Sequence, residues 1–102
     1  MTINEWSDAT AMAEAVQNKM VSPRELVEAT IREAERTNPK INAIVNQRYE
    51  KALVEAETRD FSDKPFAGVP IFLKDLGQEQ AGEPSTAGSR LFTSYRAKET
   101  DN

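Results

Sequence analysis

The segment Val69-Pro70-Ile71-Phe72-Leu73-Lys74 constrains this chain more than any other. In an extended strand successive side chains alternate between faces, so Val69, Ile71 and Leu73 point one way and Pro70, Phe72 and Lys74 the other. Both faces are apolar until Lys74, and a strand of that kind is covered on both sides. Covering it takes more layers than a chain of 102 residues supplies. The pattern therefore predicts an α/β arrangement of which this chain holds a part. Pro70 removes one ladder donor, which is tolerable near a strand's start or at an edge.

Helical periodicity dominates upstream of that strand. The spacing predicts a helix from about Ser7 to Met20, with Ala9, Met12, Ala13, Val16 and Met20 on one face and Ser7 or Asp8 as cap. Met12 and Met20 read as core filler. Trp6 either packs on this helix or anchors an interface. A second helix begins with a capping box, in which Ser22 is the cap, Pro23 takes the first helical position and Glu25 lies three residues after the cap. Its less polar face is Leu26, Val27, Thr30, Ile31 and Ala34, with Glu28 placed to pair with Arg32 on the other side. Pro39 disfavours helix at Asn38, so the helix is expected to stop before it. Ile41 to Asn46, with Ile44-Val45, reads as a short strand. Tyr49 to Arg59 returns to helix on the narrow face Ala52, Leu53 and Ala56. Residues 61–65 and Gly77 to Ser89 read as loops, and Arg90 to Asp101 as loop or the entry to a helix. The expected organisation is one domain at most, mainly helical over about 7–60, with the Lys74 strand and a Gly/Ser/Thr loop over 61–102.

Composition excludes several functions. With 38% hydrophobic and 29% charged residues, the chain is globular but leaves little for a core. A net charge of −4 argues against a general nucleic-acid binder. The chain has no cysteine and no histidine, so disulfides and thiolate or imidazole metal ligands are ruled out, and neither metal nor cofactor is expected. No apolar stretch approaches membrane-spanning length. Met1-Thr2-Ile3-Asn4-Glu5-Trp6 lacks the basic and apolar regions of a secretory signal, which leaves the cytoplasm as the expected location.

Lys74 is the candidate for chemistry. Lysine is strongly hydrated, and one held where a strand enters a core loses its charge cheaply, because burial lowers its pKa. A neutral lysine can act as base toward a serine hydroxyl with no histidine or cysteine involved. The alternative is a solvated lysine paired with Asp75. Asp75 in turn either orients Lys74 or serves as an ordinary turn aspartate. Ser85, Thr86 and Ser89 lie among Gly82 and Gly88, where turn chemistry is the simpler account of hydroxyls. The two glycines suit backbone angles that other residues avoid. No Gly-Lys-Ser or Gly-Lys-Thr ending is present, so the Gly82 to Gly88 stretch is not a phosphate loop.

The run Phe66-Ala67-Gly68-Val69-Pro70-Ile71-Phe72-Leu73-Lys74-Asp75 and the run Ser85-Thr86-Ala87-Gly88-Ser89-Arg90-Leu91 resemble the N-terminal part of the amidase signature family. Val21 to Ala29 and Asn38 to Val45 are also similar to that family's opening. The resemblance covers nearly the whole chain. It implies the helices and first strand of a mixed-sheet fold, and an enzyme that cleaves or transfers amide bonds by a Ser–Ser–Lys triad. It places the triad lysine at Lys74 and makes Asp75, Ser85, Thr86, Gly88 and Ser89 part of the wall around the site. Both triad serines follow the lysine in the family, and no Gly-Gly-Ser-Ser-Gly-Gly stretch occurs here. The expectation is an N-terminal fragment, inactive alone, of an enzyme acting on a small-molecule amide. Leu76 stands where the subunit that amidates charged tRNA more often has asparagine, which favours small or linear amides. Two alternatives are a non-catalytic binding module derived from an amidase and that tRNA-dependent amidotransferase subunit. The isolated chain is expected to self-associate, since its two-face apolar strand lacks neighbours.

Overall fold

The computed structural model describes residues 7–101, so the expected packing of Trp6 and the reading of the first six residues as lacking a secretory signal lie outside it. Three helices are present: α1 (Ala9–Gln17), α2 (Pro23–Ile41) and α3 (Tyr49–Thr58). A 3₁₀ turn follows at Arg90–Phe92. The chain divides into two compact units, Met1–Pro70 and Ile71–Asn102.

The first unit is helical. Asp8, not Ser7, caps α1, with its carboxylate accepting the Ala11 N–H at 2.8 Å. The helix ends three residues earlier than its periodicity predicts. Met20 is therefore beyond it and exposed, and Ala13 and Ala15 are the buried positions. The capping box at the start of α2 forms as the spacing predicts, with the Glu25 N–H donating to Ser22 Oγ at 3.1 Å and the Ser22 N–H to Glu25 Oε1 at 3.4 Å. Leu26, Val27 and Ala34 are its buried face.

Pro39 does not end α2, which runs through it to Ile41. The proline has no N–H for the preceding turn, but the helix end is fastened otherwise. The Asn42 N–H donates to the Asn38 carbonyl at 2.7 Å, and Asn42 takes the left-handed conformation of a C-cap. The Asn38 side chain also grips the incoming chain, accepting the Ile44 N–H at 2.8 Å and donating to the Ile44 carbonyl at 3.3 Å. That grip takes both main-chain groups of Ile44, so the short strand expected over Ile41 to Asn46 is irregular instead. α2 packs on α3. Arg24 joins the two, donating to Glu28 at 2.7 Å within α2 and to Glu57 of α3 at 2.6 Å. The pairing expected between Glu28 and Arg32 is replaced by this one.

Between α3 and residue 70 the chain turns at Phe66–Val69, closed by the Val69 N–H on the Phe66 carbonyl at 3.2 Å. Gly68 is its third residue, with φ +82°, the sign a type II turn requires there.

The expected strand from Val69 to Lys74 is absent, and no residue among those described belongs to a strand. The reason is physical: a strand exists by hydrogen-bonding to a neighbour. Among the described residues no backbone pairs with Ile71, Phe72 or Leu73. Their side chains, expected inside, are 76%, 56% and 50% exposed. The α/β expectation is thus met only in its helices.

The second unit is held by backbone lacing. An isolated antiparallel bridge joins Pro84 and Arg96. Around it the Gly82 N–H donates to the Ala97 carbonyl at 2.8 Å, the Ala97 N–H to the Glu83 carbonyl at 3.1 Å and the Asp101 N–H to the Glu79 carbonyl at 3.0 Å. Glu79 N–H reaches the Asp101 carboxylate at 2.9 Å, and the Tyr95 hydroxyl donates to Glu79 at 3.1 Å. Ala97 is buried beneath this lacing. The Arg90 to Asp101 segment is therefore a paired loop, with a 3₁₀ turn where a helix entry was one expectation.

Candidate active site

Lys74 sits in the second unit on exposed backbone just before a turn at 75–77. Its main-chain N–H donates to Gln78 Oε1 at 3.2 Å. Among the described residues its ammonium makes no hydrogen bond and no ion pair. The solvated Lys74–Asp75 pair, one of the two readings of the sequence, is not formed.

The Asp75 carboxylate is engaged elsewhere. One oxygen accepts the Thr86 N–H at 2.7 Å and the other accepts the Thr86 hydroxyl. These bonds hold the Asp75 carboxyl below its ordinary value of 3.8. The Thr86 hydroxyl is the largest cause, the Thr86 N–H next, and the Gly88 and Ala87 N–H groups add to them against an opposing push from desolvation. The N–H groups at 86–88 converge on one carboxylate because the chain reverses there. The Ser89 N–H closes a turn on the Thr86 carbonyl at 2.8 Å, and Ala87 and Gly88 carry φ of +50° and +69°. Positive φ at both central residues is the type I′ arrangement. Glycine adopts it freely, whereas Ala87 holds it at a cost of order 1 kcal/mol or more.

The remaining expected site residues divide. Ser89 Oγ accepts the Leu91 N–H at 3.2 Å and so starts the 3₁₀ turn. Ser85 neighbours Thr86 but makes no side-chain hydrogen bond among the described residues. The structure thus brings Lys74, Asp75, Thr86 and Gly88 into one neighbourhood and gives Ser89 a capping task. Gln78 went unnoticed in the sequence. Its only signal is a long amide side chain in the turn that follows Lys74, a weak one. Among the described residues no cluster of carboxylates could hold a metal ion, and no helix is long and apolar enough to cross a membrane.

A family model described as Amidase matches residues 25–102. The chain is 44% identical over 94 residues to 6-aminohexanoate-cyclic-dimer hydrolase of Pseudomonas sp. (strain NK87), covering 90% of this chain and 18% of that protein. It is 41% identical over 86 residues to a lipoamidase of Enterococcus faecalis, covering 82% of this chain and 12% of that protein. The solved structure of 6-aminohexanoate cyclic dimer hydrolase complexed with substrate superposes with a TM-score of 0.84 at 40% identity, over 96% of this chain and 20% of that one. The chain belongs to the amidase signature family, and corresponds to about a fifth or less of the length of these relatives.

Proposed function

We propose that this chain is the N-terminal part of an amidase that hydrolyses carbon–nitrogen bonds of small or linear amides, with Lys74 as the base of a Ser–Ser–Lys triad. The observation that carries the reading is family membership over residues 25–102, a match that spans Lys74. A lysine whose main chain is held and whose amine has no counter-ion among the described residues supports it, since a base must be free to accept a proton. The relatives' names support amide hydrolysis: one is a 6-aminohexanoate-cyclic-dimer hydrolase and another a lipoamidase.

In this reading the neutral Lys74 amine takes the proton of a middle serine, which takes that of the nucleophilic serine. The nucleophile's oxygen bonds to the amide carbon, backbone N–H groups hold the oxyanion, and the C–N bond breaks as the amine leaves with the relayed proton. Water then cleaves the acyl-serine ester and restores the serine. Both serines come from sequence beyond these residues, so the 102 residues alone do not turn over substrate. They form one N-terminal part of the domain, helical to about residue 60 and carrying the lysine segment after it. On its own the chain self-associates through Ile71, Phe72 and Leu73.

The test is amide hydrolysis by the complete polypeptide that carries this segment. Lys74→Ala abolishes turnover with the far-UV circular dichroism unchanged. Lys74→Arg does not rescue it, because arginine keeps its proton near neutral pH. Wild-type activity in a folded Lys74→Ala enzyme overturns the reading.

A further inference from the structure

We infer that Asp75 and Thr86 form a positioning clamp that fixes the backbone under Lys74 while keeping the aspartate from becoming the lysine's counter-ion. The inference rests on the proposed role of Lys74 and adds to it a task for two residues that do not themselves touch substrate.

The geometry has two parts. First, the main chain at Lys74 is held on both sides. Its own N–H is taken by Gln78 at 3.2 Å. The next residue's carboxylate is held through both oxygens by Thr86, whose N–H lies 2.7 Å from Asp75 Oδ1 and whose hydroxyl meets Oδ2. Two bonds from one residue to two oxygens fix direction as well as distance, as a single bond does not. The clamp closes the segment from 75 to 86, and residues 79 to 84 of it are laced to 96–101. Lys74 therefore leaves a closed loop at its foot.

Second, the clamp decides where the nearest negative charge points. An adjacent aspartate is the obvious partner for a lysine, and an ion pair would favour the charged amine, which is useless as a base. Thr86 and the N–H groups of the 86–88 turn engage the carboxylate instead, and no Lys74–Asp75 ion pair forms among the described residues. Ala87 and Gly88 must both take positive φ to aim those N–H groups. A strained alanine at that place is the kind of outlier that accompanies a positioned group.

The clamp is tested in two preparations. In the chain itself, an ¹H–¹⁵N NMR titration from pH 6 to 2 follows the Thr86 and Gly88 amides. They move together with a midpoint below 3.8, the ordinary Asp75 value. Thr86→Val raises that midpoint and Thr86→Ser leaves it near wild type. In the complete enzyme, Thr86→Val and Asp75→Ala lower kcat on the order of 10- to 100-fold with KM little changed, as misplacing a reacting group does. Thr86→Ser restores kcat to within a few-fold. Equal kcat for folded Thr86→Ser and Thr86→Val overturns the clamp, as does wild-type kcat in both Thr86→Val and Asp75→Ala. If Lys74→Ala is fully active, the catalytic reading fails instead, and the NMR midpoints still report whether the clamp exists.

Discussion

Gly68→Ala tests how the turn that delivers the chain to Ile71 is packed. A Cβ built on Gly68 would stand 2.8 Å from Pro23 Cγ, 3.2 Å from Pro23 Cβ and 3.3 Å from Val16 Cγ1. It would also sit on a backbone with φ +82°. The left-handed backbone costs an L-residue about 1–2 kcal/mol. Forcing a methyl into a filled space costs about 1–3 kcal/mol more. Together they predict a loss of about 2–5 kcal/mol, large against the stability of any small domain. Urea unfolding followed at 222 nm reads the three helices, and its midpoint falls by about 1 M or more at ordinary slopes. A double-mutant cycle separates the two causes. Pro23→Ala removes the atom at 2.8 Å and leaves the backbone angle unchanged, and alanine suits the first turn of α2. The double variant Gly68→Ala/Pro23→Ala therefore recovers stability, with a coupling above about 0.5 kcal/mol. If Gly68→Ala is already unfolded without urea, the double variant regains a transition. A Gly68→Ala midpoint equal to wild type refutes the reasoning outright, and strict additivity refutes the contact with Pro23.

Two further outcomes are expected. Glu33, held low chiefly by the Arg36 side chain, Asp60, held low chiefly by the Ser62 hydroxyl, and Asp75, held low chiefly by Thr86, all titrate below their unfolded values of 4.5, 3.8 and 3.8. Each contributes stability that is present above its unfolded value and lost as pH falls through its folded one. The urea midpoint is thus flat from neutrality to about pH 5 and declines below about pH 4; a midpoint that holds steady to pH 3 contradicts those bonds. Sedimentation of the isolated chain shows concentration-dependent association, and Phe72→Lys reduces it, because a charge in the exposed run 71–73 opposes its burial; a clean monomer at high concentration refutes self-association.

Local signals were legible in the sequence and distant ones were not. The start of α2 could be read to the residue, because the capping box is closed within Ser22 to Glu25. The end of α2 could not, because it depends on Asn38 reaching Ile44, six residues on, and no propensity at Pro39 carries that. Val69 to Lys74 has the composition of a strand, but composition supplies only one side of a ladder. At the candidate site, Lys74 stood out through chemistry and motif. Its neighbour's partner did not: Thr86 is eleven residues from Asp75, and only the reversal at 86–89 brings the two together. The lacing of 79–84 with 96–101 was not legible for the same reason: Gly82 and Pro84 read as loop, and the polar run 96–101 carries no strand alternation.

The side chains enclosed among the described residues are small: Ala13, Ala15, Ala34, Ala67 and Ala97, joined by Leu26 and Val27. No aromatic ring is buried with them. Heat-capacity change on unfolding follows the apolar area that becomes wet. Alanine has little area to expose, and Ile71, Phe72, Leu73 and Leu91 are wet already. The chain therefore has a shallow dependence of stability on temperature, with a broad calorimetric melt and a heat-capacity step below the usual value of about 12–15 cal/mol/K per residue. Its thermal signature is that of a surface layer, in which warming changes the ordering of the backbone far more than the contact of oil with water.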